Sequence, residues 1–260
     1  MIRITNTVKH LIIINVLFWI ATLGFGEQGS YMNSLFAFHF PLSEMFQPWQ
    51  IITHMFMHAS YVSDGMGGTN IYLMHILFNM IGLWMFGSAV ENYVKRKKFL
   101  ILYFVAGLGA LLLTFAIDYA DFMMNLNKLV EGGYAKDEIL KVVNEGKYDP
   151  AWDALLGEGG GNSFSVNFNG SMLGASGALM GVLVAFGLLF PNAELMLIFL
   201  PIPIKAKYFI PVIIGLDIFS GLTGVSIFSP SNTAYWAHIG GAVTGFIVMW
   251  IWKKRRKIYF

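Results

Sequence analysis

Gly174-Ala175-Ser176-Gly177 opens an apolar run that continues to Phe190. A hydroxyl about one turn inside a stretch of membrane length is an odd placement, and the small residues around it let other backbone approach closely. A helix N-terminus there would aim unpaired N–H groups at developing negative charge. The plainer reading stands beside it: Gly174, Gly177 and Gly181 form a packing seam, and Ser176 bonds back into its own helix. Two further polar sets lie at matching depth in other apolar runs, His75 with Asn79 and His238 near Gly241 and Gly245. Three coincident polar sites weigh against packing alone.

Composition places this run in a bilayer. Of 260 residues 56% are hydrophobic and only 12% charged, and the mean hydropathy is +0.61; a soluble domain carries about 25% charged residues. A net charge of +2 makes no case for nucleic acid. With no cysteine, disulfides, thiolate metal sites and a cysteine nucleophile are excluded.

Crossing the hydrocarbon core takes about 20 mostly apolar residues in a helix. Six runs qualify, about 9–26, 71–91, 98–117, 172–190, 207–224 and 234–252. The first follows Arg3 and Lys9, lacks a small-x-small cleavage site and carries Trp19 deep within it, so a retained helix is expected rather than a signal peptide. The stretch 194–204 is apolar too, but Pro201 and Pro203 interrupt it, which predicts a loop or interfacial turn.

Basic residues alternate with the loops. Arg3 and Lys9, Lys95 to Lys98, Lys205 with Lys207, and Lys253 to Lys257 account for 13 of the 17, all on one side if there are six spans. The first loop (27–70) and the fifth (225–233) hold no Lys or Arg, and the third (118–170) has nine acids against four lysines. Positive-inside then sets both termini in the cytoplasm, with a bacterial cytoplasmic membrane as the expected setting.

Much of the first loop is apolar around Trp49, Gln50, His54 and His58, so it is expected to lie in the membrane interface, followed by a Gly-rich turn at 64–68. The third loop reads as short amphipathic helices over 119–131 and 136–145 split by Gly132-Gly133, then a flexible Gly159-Gly160-Gly161 stretch. The expected architecture is all-α and polytopic: one membrane domain over 1–260, carrying 118–170 as an extracytoplasmic helical insertion.

The second, fourth and sixth spans all run from outside to inside. His75, Ser176 and His238 each fall four or five residues into their span, roughly 6–8 Å below its outer end at about 1.5 Å per residue. Serine needs a base to attack at neutral pH, and histidine suits. Ala237, Gly241 and Gly245 repeat every four residues, which lets the sixth span press against the glycine-bearing fourth and favours a Ser176–His238 dyad. His75 and Asn79 share one helix face and could stabilise an oxyanion with the Ser176 backbone N–H, or simply clamp two helices together.

A metal site on His54, His58 and His75 is the rival chemistry. Met55, Phe56 and Met57 stand where a zinc protease motif needs its glutamate, so no metal is expected and the two loop histidines are read as hydrogen-bonding anchors. His10 and His39 carry no usable signal. Asp217, toward the outer end of the fifth span, is a functional candidate as an intramembrane carboxylate, but a solvated position near the interface is the favoured reading.

Together these residues resemble the rhomboid family of intramembrane serine proteases. The resemblance rests on Gly174-Ala175-Ser176-Gly177, on Ala237-His238 with Gly241 and Gly245, on His75-x-x-x-Asn79, and on Trp49-Gln50-x-x-Thr53-His54-x-x-Met57-His58. It covers all six spans and implies a six-helix rhomboid-like bundle, a Ser176–His238 dyad without a carboxylate, and an oxyanion site including His75 and Asn79. It also implies no cofactor, transmembrane or juxtamembrane protein segments as substrates, and sideways entry past the second and fifth helices, near Phe78. Two departures stand out: Gln50 replaces the family's usual arginine, and Met180 replaces an aromatic that often stacks on the histidine, leaving a softer sulfur contact. The alternatives are an inactive rhomboid-like protein that binds or chaperones membrane helices, and a transporter using Asp217 and the histidines as a proton relay.

Overall fold

A computed structural model describes residues 3–63, 65, 68–197, 200–225 and 235–255. The fifth loop falls almost wholly outside these residues, as does most of the Gly-rich turn expected at 64–68.

Helix α1 (Asn6–Gly24) is the first long apolar element. The first loop then folds as α2 (Ser30–Phe36), strand β1 (Phe38–His39), α3 (Gln50–Thr53), a 3-10 turn over His54–Phe56, and the hairpin β2 (Tyr61–Ser63) and β3 (Thr69–Ile71). The second rod is continuous from Met74 to Val94, as α4 (Met74–Gly82), a π turn over Leu83–Gly87 and α5 (Ser88–Val94). Lys95, at φ +71°, turns the chain sharply into α6 (Arg96–Glu131).

At 36 residues α6 runs straight past the end of the expected third span. The segment 119–131 is therefore not a separate helix, because no breaker interrupts it before Gly132-Gly133. The rest of the insertion is α7 (Lys136–Asn144), a 3-10 turn over Pro150–Trp152, α8 (Asp153–Leu156) and α9 (Gly160–Asn169). The glycines expected to be flexible start α9 instead: the Asp153 carboxylate accepts from Gly159 N at 3.2 Å and Gly161 N at 2.8 Å. An acidic side chain at a helix start satisfies otherwise orphaned N–H groups.

Strand β4 (Ser171–Met172) leads into α10 (Ser176–Leu189). The proline-bearing stretch expected to be a loop forms an antiparallel hairpin, β5 (Glu194–Leu197) with β6 (Leu200–Lys205), before α11 (Ala206–Thr223) and α12 (Tyr235–Lys254). Prolines are tolerated in such an edge ribbon because its outer N–H positions need no partner.

Each of the six expected spans thus falls on a helix or a continuous helical rod. By length and composition, α1, α6 and α11 can cross a membrane, and α10 is shorter but apolar. Leu17 and Ile20 on α1, Leu112 on α6, Val212 and Leu222 on α11 and Phe246 on α12 are all exposed. Such a belt has no place in water, and hydrocarbon is its natural neighbour. The chain is a polytopic helical membrane protein.

Two cores result. One lies among the rods, around Val182, Leu183 and Ala185 of α10, Tyr103 and Leu102 of α6 and Met249 of α12. The other belongs to the insertion, where Phe122 and Phe164 stack at 5.0 Å and Trp152, Leu129 and Val143 are buried. Phe40 of the first loop completes this second core, and Glu44 N donates to Asn144 Oδ1 at 3.0 Å. The insertion is docked on the first loop.

Candidate active site

Glycine decides how closely α10 and α12 approach. A Cβ on Gly241 would collide with the carbonyl of Gly177, and one on Gly245 would stand 2.7 Å from Gly181 O. The two backbones therefore touch at two successive levels. A Cβ on Gly177 would meet Ala110 and lie 3.3 Å from Ala237 O. Ser176 precedes Gly177 and His238 follows Ala237, so serine and histidine share one level of the seam. Ser176 is half-buried at the first position of α10, where Ala175 supplies no side-chain cap and the first-turn N–H groups lack intrahelical partners.

Strand and loop hold the approach to Ser176. β4 pairs antiparallel with β1, Phe38 opposite Met172 and His39 opposite Ser171. Gly174 N then donates to His54 O at 2.9 Å. Gly174 itself has φ +127°, a region that favours glycine. A Cβ added there would lie 3.4 Å from His75 Nε2 and 3.7 Å from Ser176 Oγ, so the imidazole and the hydroxyl flank one small space.

The tautomer of His75 follows from its other nitrogen. Ala59 N–H donates to His75 Nδ1 at 3.2 Å, which makes Nδ1 an acceptor and leaves the ring proton on Nε2, the atom beside Gly174. His58 packs edge-on behind the ring at 5.2 Å. Asn79 is buried; among the described residues it donates one amide hydrogen, to His75 O at 2.8 Å, and its Oδ1 has no partner. One turn on, a Cβ on Gly82 would meet Leu179 of α10 at 2.9 Å, so α4 lies against the first turns of the serine helix. Phe78 is 47% exposed on the outer face of α4.

Asp217 departs from the sequence-based expectation. It is 6% exposed rather than solvated, and His238 Nδ1–H donates to its Oδ2 at 3.1 Å. Asp217 lies on the buried face of α11, between Ile210 and Ser220. Its depth in an apolar helix was the available signal; the partner depended on the register of α11 against α12. Met180 is buried in the core among the rods.

The first-loop motif is a set of caps. Trp49 Nε1 donates to Leu35 O at 2.8 Å, Gln50 Nε2 to Ser34 O at 3.0 Å and Thr53 Oγ1 to Phe36 O at 2.8 Å. These are the last three carbonyls of α2, which have no intrahelical donors. Gln50, fully buried, also donates to Met45 O at 3.0 Å and accepts from His39 N and Gln47 N. His54 Nδ1–H donates to Gln50 O at 2.9 Å, and His58 Nε2–H to Asn15 Oδ1 at 2.8 Å. Burial pushes His54 down to about 4 and His58 to about 3, the latter also through the charge of His75. Both imidazoles are thus neutral. Among the described residues no group of three metal-ligating side chains converges.

The family model described as the Rhomboid domain matches residues 45–126 and 153–255, which include His75, Asn79, Ser176, Asp217 and His238. The chain belongs to the rhomboid family. Within the insertion, residues 127–152 are unmatched. This rhomboid is 26% identical over 195 residues to the human and mouse proteins named presenilin-associated rhomboid-like protein, mitochondrial, covering 72% of this chain and 38% of each relative. It is also 36% identical over 63 residues to the rhomboid protease GlpG of Salmonella choleraesuis strain SC-B67, covering 24% of this chain and 18% of that protein. The chain thus spans well under half the length of these curated relatives.

Proposed function

We propose that this rhomboid is an intramembrane serine endopeptidase acting on transmembrane or juxtamembrane segments of other membrane proteins. The observation that carries the reading is the glycine seam between α10 and α12, where Gly177 meets Ala237 and Gly241 one residue on from Ser176, with the His75 imidazole and the Ser176 hydroxyl flanking Gly174.

Ser176 Oγ attacks the scissile carbonyl carbon while His238 Nε2 takes its proton. The oxyanion receives hydrogen bonds from His75 Nε2–H, the second Asn79 amide hydrogen and the Ser176 backbone N–H. The protonated imidazole returns its proton to the leaving amine, and the acyl-serine forms. Water, giving a proton to His238, then attacks the ester; Ser176 leaves with that proton. Each step uses groups of this chain and water, with no cofactor. The space at Gly174 is narrow, so small residues and locally unwound substrate backbone suit it.

Basic-residue placement supports both termini on the cytoplasmic side with the site opening outward; a bacterial cytoplasmic membrane is the setting we propose with it. Exposed Phe78 suits a substrate entrance beside α4. The single membrane domain over 1–260, with 118–170 as an outer-face element that selects substrates or shields the site, belongs to the same proposal.

The test is labelling by a fluorophosphonate in detergent. Wild type should react, and Ser176→Ala and His238→Ala should not. Equal signal from all three would end the proteolytic reading, and capture of transmembrane helices without labelling would favour a binding or chaperoning relative.

A further inference from the structure

We infer that Asp217 is a positioning residue for His238, so that this rhomboid works with a serine, a histidine and a carboxylate. The inference rests on the proteolytic reading above.

The geometry is specific. The bond from His238 Nδ1–H to Asp217 Oδ2 joins side chains that are 15% and 8% exposed. It lies between helices whose register is fixed independently: a Cβ on Gly221, one turn beyond Asp217, would stand 3.2 Å from the Trp236 ring, two residues before His238. Among the described residues no other ion pair involves Asp217. A carboxylate at membrane depth is costly, and one whose ion-pair partner is the proposed base has a chemical use.

An acceptor on Nδ1 does two things. It holds the ring proton there, which leaves the Nε2 lone pair free to take the Ser176 proton. It also faces the imidazolium that exists once that proton has moved, without itself taking a proton. A dyad histidine must be oriented by packing; this one is oriented by a hydrogen bond. Met180, standing where a stacking aromatic is common, is consistent with that exchange.

The test is Asp217→Asn, purified and reconstituted beside wild type and Ser176→Ala, with cleavage of a transmembrane substrate, fluorophosphonate labelling rate and Tm all measured. The expected result is a fall in kcat and in labelling rate of about a hundredfold or more, with KM within about twofold and Tm nearly unchanged. Should Asp217→Asn fail to accumulate, Asp217→Ser is read by the same criteria. Retention of kcat within about twofold overturns the inference. So does a loss in which KM and Tm worsen in step with kcat, which would make Asp217 a structural strut. If wild type neither labels nor cleaves and matches Ser176→Ala, the proteolytic reading falls and takes this inference with it. If wild type is active and Asp217→Asn equals it, only the inference falls.

Discussion

The carbonyl of Gly177 occupies the space that a side chain on Gly241 would need, so α10 and α12 meet through bare backbone. Gly241→Ala must push the helices apart, and overpacking of this kind costs about 1–3 kcal/mol. The site should suffer more than the fold, because Ser176 and His238 sit one level from the wedge. We expect a lowered Tm and a labelling rate down by more than about tenfold. Gly215→Ala on α11 is the control: among the described residues nothing lies within 4 Å of its added methyl, and an exchange inside a helix should hold or raise Tm.

Gly174→Ala should act on the site directly. The added methyl stands 3.4 Å from His75 Nε2 and 3.7 Å from Ser176 Oγ, in the space where the proposed mechanism seats the substrate carbonyl. The backbone at φ +127° also strains any side chain, at about 1–3 kcal/mol. Labelling should be abolished while the variant still folds, as judged by a cooperative thermal transition. Labelling at the wild-type rate would show that the carbonyl binds elsewhere.

What was legible in the sequence was whatever a local pattern encodes. Six apolar runs read as helices, and the four-residue spacing of Ala237, Gly241 and Gly245 announced a close helix contact. Elsewhere the deciding contact lay outside the local pattern. Asp217 looked solvated because burial depended on which face of α11 meets α12. The 119–131 segment looked amphipathic and separate, yet its apolar side continues α6 into a second core with Phe40, some eighty residues earlier. Gly159 to Gly161 read as flexible in sequence, but the Asp153 carboxylate caps them. The prolines at 201 and 203 ruled out a helix correctly but left a hairpin as well as a loop.

Gln50 tests whether the departure from the family's usual arginine is compensated. Its amide satisfies two carbonyls and two backbone N–H groups at a fully buried position. Gln50→Ala should cost about 2–4 kcal/mol, since leaving buried groups unpaired carries a penalty of about 1–3 kcal/mol each, offset where water enters. Gln50→Arg should not rescue it. A guanidinium accepts nothing, so His39 N–H and Gln47 N–H would face a cation. Thermal unfolding of the three proteins in one detergent decides this; an Arg variant as stable as wild type would refute it.

Stability should fall in mild acid through the first loop. His54 and His58 have folded-state pKa values of about 4 and about 3, below the ordinary 6.5, because burial penalises their charged forms. The unfolded chain therefore binds more protons as pH falls below about 6.5, and stability present above that pH is lost progressively toward the folded values. At pH 5 the loss is about 2 kcal/mol for each imidazole relative to pH 7.5. Scans at the two pH values should show a clear drop in Tm, and His58→Asn, less stable at pH 7.5, should show a smaller one. A Tm independent of pH would contradict the assignment.

The insertion should act on Ser176 through β4. Its core encloses Trp152, 2% exposed, with Phe164 and Phe168 of α9, and α9 leads directly into the strand that pairs with β1 ahead of the serine. Trp152→Ala should remove about 3–5 kcal/mol from this unit. Because the glycine seam is separate, the loss should be local: faster hydrogen exchange across α7, α8, α9 and β4, with α10 and α12 as protected as before. Labelling of Ser176 should slow, since the Gly174 N–H bond to His54 O would no longer be held from both sides. Exchange that accelerates in the insertion but leaves β4 and the labelling rate untouched would mean that the insertion folds as an independent cap, with no hold on the approach to the serine.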